Sequence, residues 1–182
     1  CIAKGKDYHD GGARYDTSYI QGVGVGTMTD ALTAIKYHVF DKKTLTMDEL
    51  LTALRENFEG HERMRRMLLN KTPKYGNDDD YADDVMVDVF EAYFNAIDGR
   101  PNTRGGTYRI NLLPTTCHIY FGSVIGATPD GRPAEMPLSE GISPVLWSSV
   151  LRVTPSWMTR FTVKDSSISS ETFSKAWIAS IT

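Results

Sequence analysis

The sequence predicts an α/β fold in which helix dominates, and two observations carry that reading. Apolar residues recur at helical spacing in four stretches between residues 29 and 97. One further run, within residues 107–120, is rich in apolar and aromatic side chains and has the character of a strand covered on both faces. At 182 residues the chain is large enough to bury a core, provided that strand finds partners.

The first 26 residues are glycine-rich and irregular. Gly22, Gly24 and Gly26 alternate, but a dinucleotide fingerprint needs a G-x-G-x-x-G run between a strand and a helix. The sixth position is Thr27 and no apolar strand is evident before it, so the stretch reads as a loop, flexible or close-packed, that uses glycine where side chains do not fit. A first helix is predicted over 29–40, with Met28, Leu32, Ile35 and Val39 on one face. A second begins at Thr46, where Thr46 and Glu49 form a capping box, carries a stripe of Leu50, Leu51, Leu54 and Phe58, and stops at Gly60. A third covers 62–69, with Met64, Met67 and Leu68 inward and Arg63, Arg65 and Arg66 outward.

The acidic run Asp78-Asp79-Asp80 precedes a long helix over 81–97, where negative charge suits the positive end of the helix dipole. Its spacing lacks the sixth-position Gly and twelfth-position Glu of a calcium loop, so capping is the reading and no metal is expected. Met86, Phe90, Tyr93, Phe94 and Ile97 form that helix's apolar side. The strand expected within 107–120 contains Pro114, so it either starts after the proline or lies at an edge there. A long loop over 122–144 holds the turn Thr128-Pro129-Asp130-Gly131, which Asp130 and Arg132 are expected to fix. Loops of this length in a compact domain are usually functional. From Leu146 the composition changes: all three tryptophans, no glycine and an excess of Ser and Thr, without periodicity.

Composition narrows the function classes. A net charge of −3 argues against a nucleic-acid partner. No apolar run approaches the ~20 residues of a membrane span, and the start is polar, unlike a signal peptide. The first residue is not Met, so the chain is expected to begin inside a longer protein. Two cysteines are too few for a disulfide framework. Cys117 is expected as a small buried hydrophobe on its strand, and the compartment as reducing and cytoplasmic.

Several stretches, in order, carry a resemblance: GGARY at 11–15 with YIQGVGVGT at 19–27, KTPKYGNDDDYAD at 71–83, and PTTCHIYFG at 114–122 with GATPDGRPA at 126–134 and PLSEGISP at 137–144. Together they resemble the glycyl radical enzymes, the group of pyruvate formate-lyase and the diol, glycerol and hydroxyproline dehydratases. The wording PTTCHIYFG leans toward the glycerol and hydroxyproline dehydratases. The resemblance implies that residues 1–145 are a C-terminal-half piece of a ten-stranded β/α barrel. Residues 146–182 then form an aberrant tail, which a reading-frame slip near Val145 would explain.

The resemblance also implies a mechanism. In the family an activating enzyme, using an iron–sulfur cluster and S-adenosylmethionine, installs a radical on a glycine. The radical passes to a cysteine, whose thiyl takes hydrogen from the substrate; in the dehydratases water is then lost. The family cysteine is followed two residues later by an acid, whereas Cys1 precedes Ile2 and Ala3, and Cys117 precedes His118 and Ile119. The Arg-Val-(Ala or Ser)-Gly-Tyr string of the radical glycine does not occur. No catalytic residue and no bound cofactor are therefore expected on this chain, which should be inactive alone.

The implied partners are a small hydroxylated substrate such as hydroxyproline, glycerol or a diol, the activating enzyme, and a second copy in a full-length homodimer. A formate acetyltransferase relative and a non-catalytic truncated product are the alternatives. Thr115, Thr116 and His118 are the candidate substrate-binding residues, because the family's strand approaches substrate there. On a strand, Thr116, His118 and Tyr120 would share one face, and Thr115, Cys117 and Ile119 the other. The competing roles are a threonine hydroxyl bonded to backbone and a packed, hydrogen-bonded histidine.

Overall fold

Residues Thr17–Gln21 (β1) and Thr107–Asn111 (β2) lie side by side as parallel strands, in register from Thr17 opposite Thr107 to Gln21 opposite Asn111. This is a computed structural model, and it describes residues 1–113 and 115–145. Four helices are made between the two strands: Val25–Ile35 (α1), Met47–Arg55 (α2), Glu62–Asn70 (α3) and Asp80–Ile97 (α4). A fifth, Cys117–Val124 (α5), follows β2. The architecture is mixed α/β, as expected, with a two-stranded sheet among the described residues. No helix among them is long and apolar enough to cross a membrane.

The sequence reading places no strand at β1, because Thr-Ser-Tyr-Ile-Gln shows no apolar alternation. Its strand state comes from backbone pairing with β2 and from Gln21, whose Nε2 donates to the Leu113 carbonyl at 2.7 Å. A strand therefore does precede the alternating glycines, and α1 follows them. Their role is close packing all the same. Gly24 has φ +78° and donates its N–H to the Ser139 carbonyl. A Cβ on Gly26 would run into the Ser143 carbonyl. Thr27 and Ser139 exchange two bonds, backbone N–H to side-chain oxygen in both directions, each 2.9 Å. The first turn of α1 is thus covered by the chain's own 138–143 loop.

α1 starts four residues earlier than expected and buries a different face. Thr27, Thr29, Asp30, Thr33 and Ala34 point inward, whereas Met28 and Leu32 are 54% and 39% exposed. Small and hydroxylated side chains allow α1 and α4 to approach closely, and the Thr29 hydroxyl meets the Met86 sulfur at 3.1 Å. The helix continues as a π-helical turn over Lys36–Asp41. α2 opens with the expected capping box, Glu49 N–H donating to Thr46 Oγ1 and Thr46 N–H to the Glu49 carboxylate. Asn57 and Phe58, both at positive φ, end it and turn Phe58 into the core. That core comprises Ala34, Leu50, Ala53, Phe58 and Leu68. Leu51, expected on the apolar stripe, is exposed.

α3 buries Leu68 as expected. Arg65 does not face outward: its Nε donates to the Gly131 carbonyl at 3.0 Å. α4 is capped by Asp79, whose carboxylate accepts the Tyr81 N–H. Its buried face is Ala82, Val85, Met86 and Val89, while Phe94, expected inward, is exposed.

The largest correction concerns residues 117–124, which form α5 and no strand. β-branched and aromatic residues favour strands, but β2 stops at Asn111 and no neighbouring strand is available to residues 117–120 among the described residues. Helix satisfies their backbone groups locally. Gly122 then fits under the backbone of residues 136–138, where a Cβ would collide. The outer face of α5 is apolar and open, with Ile119, Tyr120 and Val124 all more than half exposed. Cys117, expected to be buried, is exposed as well. The tail over 146–182 lies outside the described residues.

Candidate functional site

Thr115, Thr116 and His118 gather at the start of α5 rather than alternating along a strand. The Thr115 hydroxyl is buried and has no hydrogen-bond partner among the described residues. Thr116 occupies the N-cap position, is exposed, and makes no capping bond with its side chain. His118 turns back so that Nδ1–H donates to the Thr115 carbonyl, and its Nε2 faces a Glu140 carboxylate oxygen at 3.7 Å. Glu140 was not among the residues expected here; it comes from the 137–144 stretch, which also donates the Leu138 N–H to the His118 carbonyl. The group offers hydroxyls, an imidazole and a carboxylate. It can bind and orient a polar molecule.

Behind α5 lies a second polar arrangement built on Arg132, which is fully buried. Its Nη1 donates to the carbonyls of Met136 (2.6 Å) and Gly122 (3.4 Å). Its Nη2 donates to those of Ile125 and Gly126, and its Nε to the Thr128 hydroxyl at 3.1 Å. Thr128 in turn donates to Asp130 Oδ1. Asp130 is 1% exposed, and its other oxygen lacks a partner among the described residues. Burial pushes the Arg132 guanidinium below its ordinary pKa, and the charge of Asp130 opposes that shift. The turn closes with Gly131 N–H on the Thr128 carbonyl, so both Asp130 and Arg132 serve the turn as expected.

The same turn is tied to the helical body. Lys74 Nζ donates to the Asp130 carbonyl, and the Ala134 N–H donates to Asn57 Oδ1. Beneath it sits Asp30 of α1, which accepts the Tyr75 N–H at 2.8 Å. Burial pushes its carboxyl up to about 7, against the opposing pull of Lys74 and of that hydrogen bond. His38 is buried between two hydroxyls, Thr44 at Nδ1 and Thr72 at Nε2. Burial, and then the charge of Lys74, lower its pKa.

Away from α5, an open groove of about 760 Å³ runs between α1 and α4, lined by Met28, Leu32, Ile35, Val85, Val89 and Tyr93. Cys117 has no carboxylate two residues on, and Cys1 lies at the exposed start. Among the described residues no group of three or more His, Cys, Asp or Glu is placed to hold a metal.

The sequence profile of the family described as Pyruvate formate lyase-like matches residues 1–122. A trans-4-hydroxy-L-proline dehydratase from Clostridioides difficile is 65% identical over 144 residues, which is 79% of this chain and 18% of that protein. The crystal structure of hydroxyproline dehydratase from the same organism, with trans-4-hydroxy-L-proline bound, superposes with a TM-score of 0.76 at 64% identity, again over 79% of this chain and 18% of that one. The B12-independent glycerol dehydratase from Clostridium butyricum gives a TM-score of 0.74 at 42% identity, over 79% and 18%. The chain therefore spans about a fifth of the length of these relatives.

Proposed function

This chain belongs to the pyruvate formate lyase-like family of glycyl radical enzymes, and from that premise we propose that it is part of a radical dehydratase acting on trans-4-hydroxy-L-proline or a closely related hydroxylated substrate. The observation that carries the proposal is the 65% identity over 144 residues to a hydroxyproline dehydratase. The relatives above are dehydratases, which favours loss of water over acyl transfer.

In the whole protein this segment forms part of the wall of a ten-stranded β/α barrel. That accounts for the open apolar faces of α5 and of the groove between α1 and α4, because faces of this size are normally covered. The whole protein is a cytoplasmic homodimer served by a separate S-adenosylmethionine-dependent activating enzyme. The family's glycyl radical supplies hydrogen abstraction. The residues described here do not fit the radical glycine or its cysteine relay: Cys117 is exposed on a helix and followed by His118 and Ile119. This segment's part is to shape the substrate cavity. Thr115, Thr116 and His118 contribute hydrogen bonds to a hydroxyl or carboxylate of the substrate. The Thr115 hydroxyl, buried and without a partner among the described residues, is the side chain with most to gain from such a bond.

The test is anaerobic activation of the full-length enzyme carrying this segment, followed by turnover assays with trans-4-hydroxy-L-proline, glycerol and propane-1,2-diol. Preference for hydroxyproline by kcat/KM is expected. Turnover of pyruvate with coenzyme A instead would overturn the proposal, as would turnover by the 182-residue chain alone. For residues 146–182 we attribute the changed composition to a reading-frame slip near Val145. Translation of the coding DNA in the other frames checks this, and failure to recover family-like sequence refutes it.

A further inference from the structure

We propose that Arg132 is a positioning residue for substrate binding, holding α5 and the Thr115, Thr116 and His118 groups at its head in a fixed pose against the helical body. This rests on the reading of those three residues as substrate contacts.

The geometry is specific. A guanidinium has five N–H donors in a rigid fork, and Arg132 directs its donors at five acceptors: the carbonyls of Gly122, Ile125, Gly126 and Met136 and the Thr128 hydroxyl. Gly122 lies within α5, and Ile125 and Gly126 follow it directly. These carbonyls lie at or just past the end of a helix, where C=O groups have no intrahelical partner, and Ile125 also accepts the Glu135 N–H. Met136 lies in the 135–140 stretch that crosses back over α5 and binds His118 through Leu138. One side chain thus gathers the end of α5 and the strap across it.

That side chain is itself fixed from below. Thr128 links its Nε to Asp130, a carboxylate equally buried. The backbone on either side is pinned to the body through Lys74 at Asp130, Arg65 at Gly131 and Asn57 at Ala134. The outer face of α5 is open, so little apolar packing among the described residues sets its direction. Polar bonds hold it instead: Arg132 takes the carbonyls at and after its end, and the 135–140 stretch takes the His118 carbonyl at its head. A tilt of α5 would displace Thr115, Thr116 and His118 together.

The test uses the full-length, anaerobically activated enzyme. Arg132→Lys keeps a charge but offers three donors on a flexible stem, so at least two acceptors lose their bond. A ~10²-fold fall in kcat/KM for hydroxyproline is expected, mostly as a rise in KM, since misplacement of binding groups by about 1 Å can cost that much. The glycyl radical signal in electron paramagnetic resonance should be unchanged, because radical installation does not involve these residues. Thr128→Val removes the Nε acceptor of Arg132 and its link to Asp130 but leaves the four carbonyl bonds, and should raise KM in the same direction by a smaller factor. If Arg132→Lys does not fold, Thr128→Val decides by the same criterion. Unchanged KM with only a lowered melting temperature would mean a purely structural arginine and overturn the proposal. The double variant Thr115→Val with Thr116→Val separates the two readings: if it leaves KM unchanged the threonine contacts fail, whatever the arginine variants do.

Discussion

Around Leu50 and Leu68 the chain is held by buried hydrocarbon, whereas around α5 it is held by carbonyls gathered on one guanidinium. The helical body has an apolar cluster of its own, with α2 and α3 packed through it. α5 turns an apolar face outward and keeps its polar bonds inside. The contrast teaches where each region gets its stability. The body draws on contacts among the described residues, while α5 is tied through Arg132 and leaves its outer face without cover among those residues. A region of the second kind is suited to lining a cavity whose other walls come from elsewhere in the protein.

The largest effect should come from removing the neighbours. The 182-residue chain expressed alone should show no cooperative melt and should bind a hydrophobic dye strongly, with amide protons in α5 exchanging before those in α2 and α3. A sharp cooperative melt from a monomer would show that α5 needs no cover. Within the full-length enzyme, Leu68→Ala should lower the local opening free energy of α3 by about 2–5 kcal/mol, read by hydrogen exchange, and leave protection in α5 almost unchanged. If both regions loosen equally, they are one cooperative unit.

Asp30 lies at the seam between the two regions. Its folded pKa, about 7, lies above the ordinary carboxylate value because of burial. The folded state therefore binds this proton more tightly than the unfolded state does. Its contribution to stability is largest near pH 4, falls as pH rises to about 7, and is flat above that. Asp30→Asn should remove this slope, which is on the order of a few kcal/mol at one pKa unit per 1.36 kcal/mol. Thermal midpoints of the wild type and variant at pH 5 and pH 8 check it; parallel shifts at both values would mean that Asp30 does not titrate in this window. Thr46→Ala should have the smallest effect. It removes the capping bond of α2 at a cost of about 1 kcal/mol, visible as faster exchange in the first turn of α2 and nowhere near α5.

What was legible in the sequence divides along the same line. The capping box of α2, the Asp79 cap of α4 and the 128–131 turn each depend on residues within a few positions of one another, and each was found where expected. β1 depends on a partner ninety residues away, and nothing in Thr-Ser-Tyr-Ile-Gln announces it. For α5, local propensity pointed the wrong way, because strand-favouring residues stand where the described residues offer no strand partner. α1 misled differently: its conspicuous apolar residues line an open groove, while its threonines and Asp30 pack inward. The grouping of Thr115, Thr116 and His118 near one another was legible, but their alternation across two faces failed with the strand. Glu140 had no signal to draw attention to it, since only the fold carries the 137–144 stretch back over α5.

The pairing of β1 with β2 has a consequence for how the protein is made. Thr17 and Thr107 are neighbours in space but ninety residues apart in sequence. At translation speeds of 5–20 residues per second, the first strand leaves the ribosome on the order of ten seconds before its partner exists. During that interval α2 and α3 can already close over their own hydrocarbon, while the edge of Tyr19 and Ile20 that β2 will cover has no partner yet.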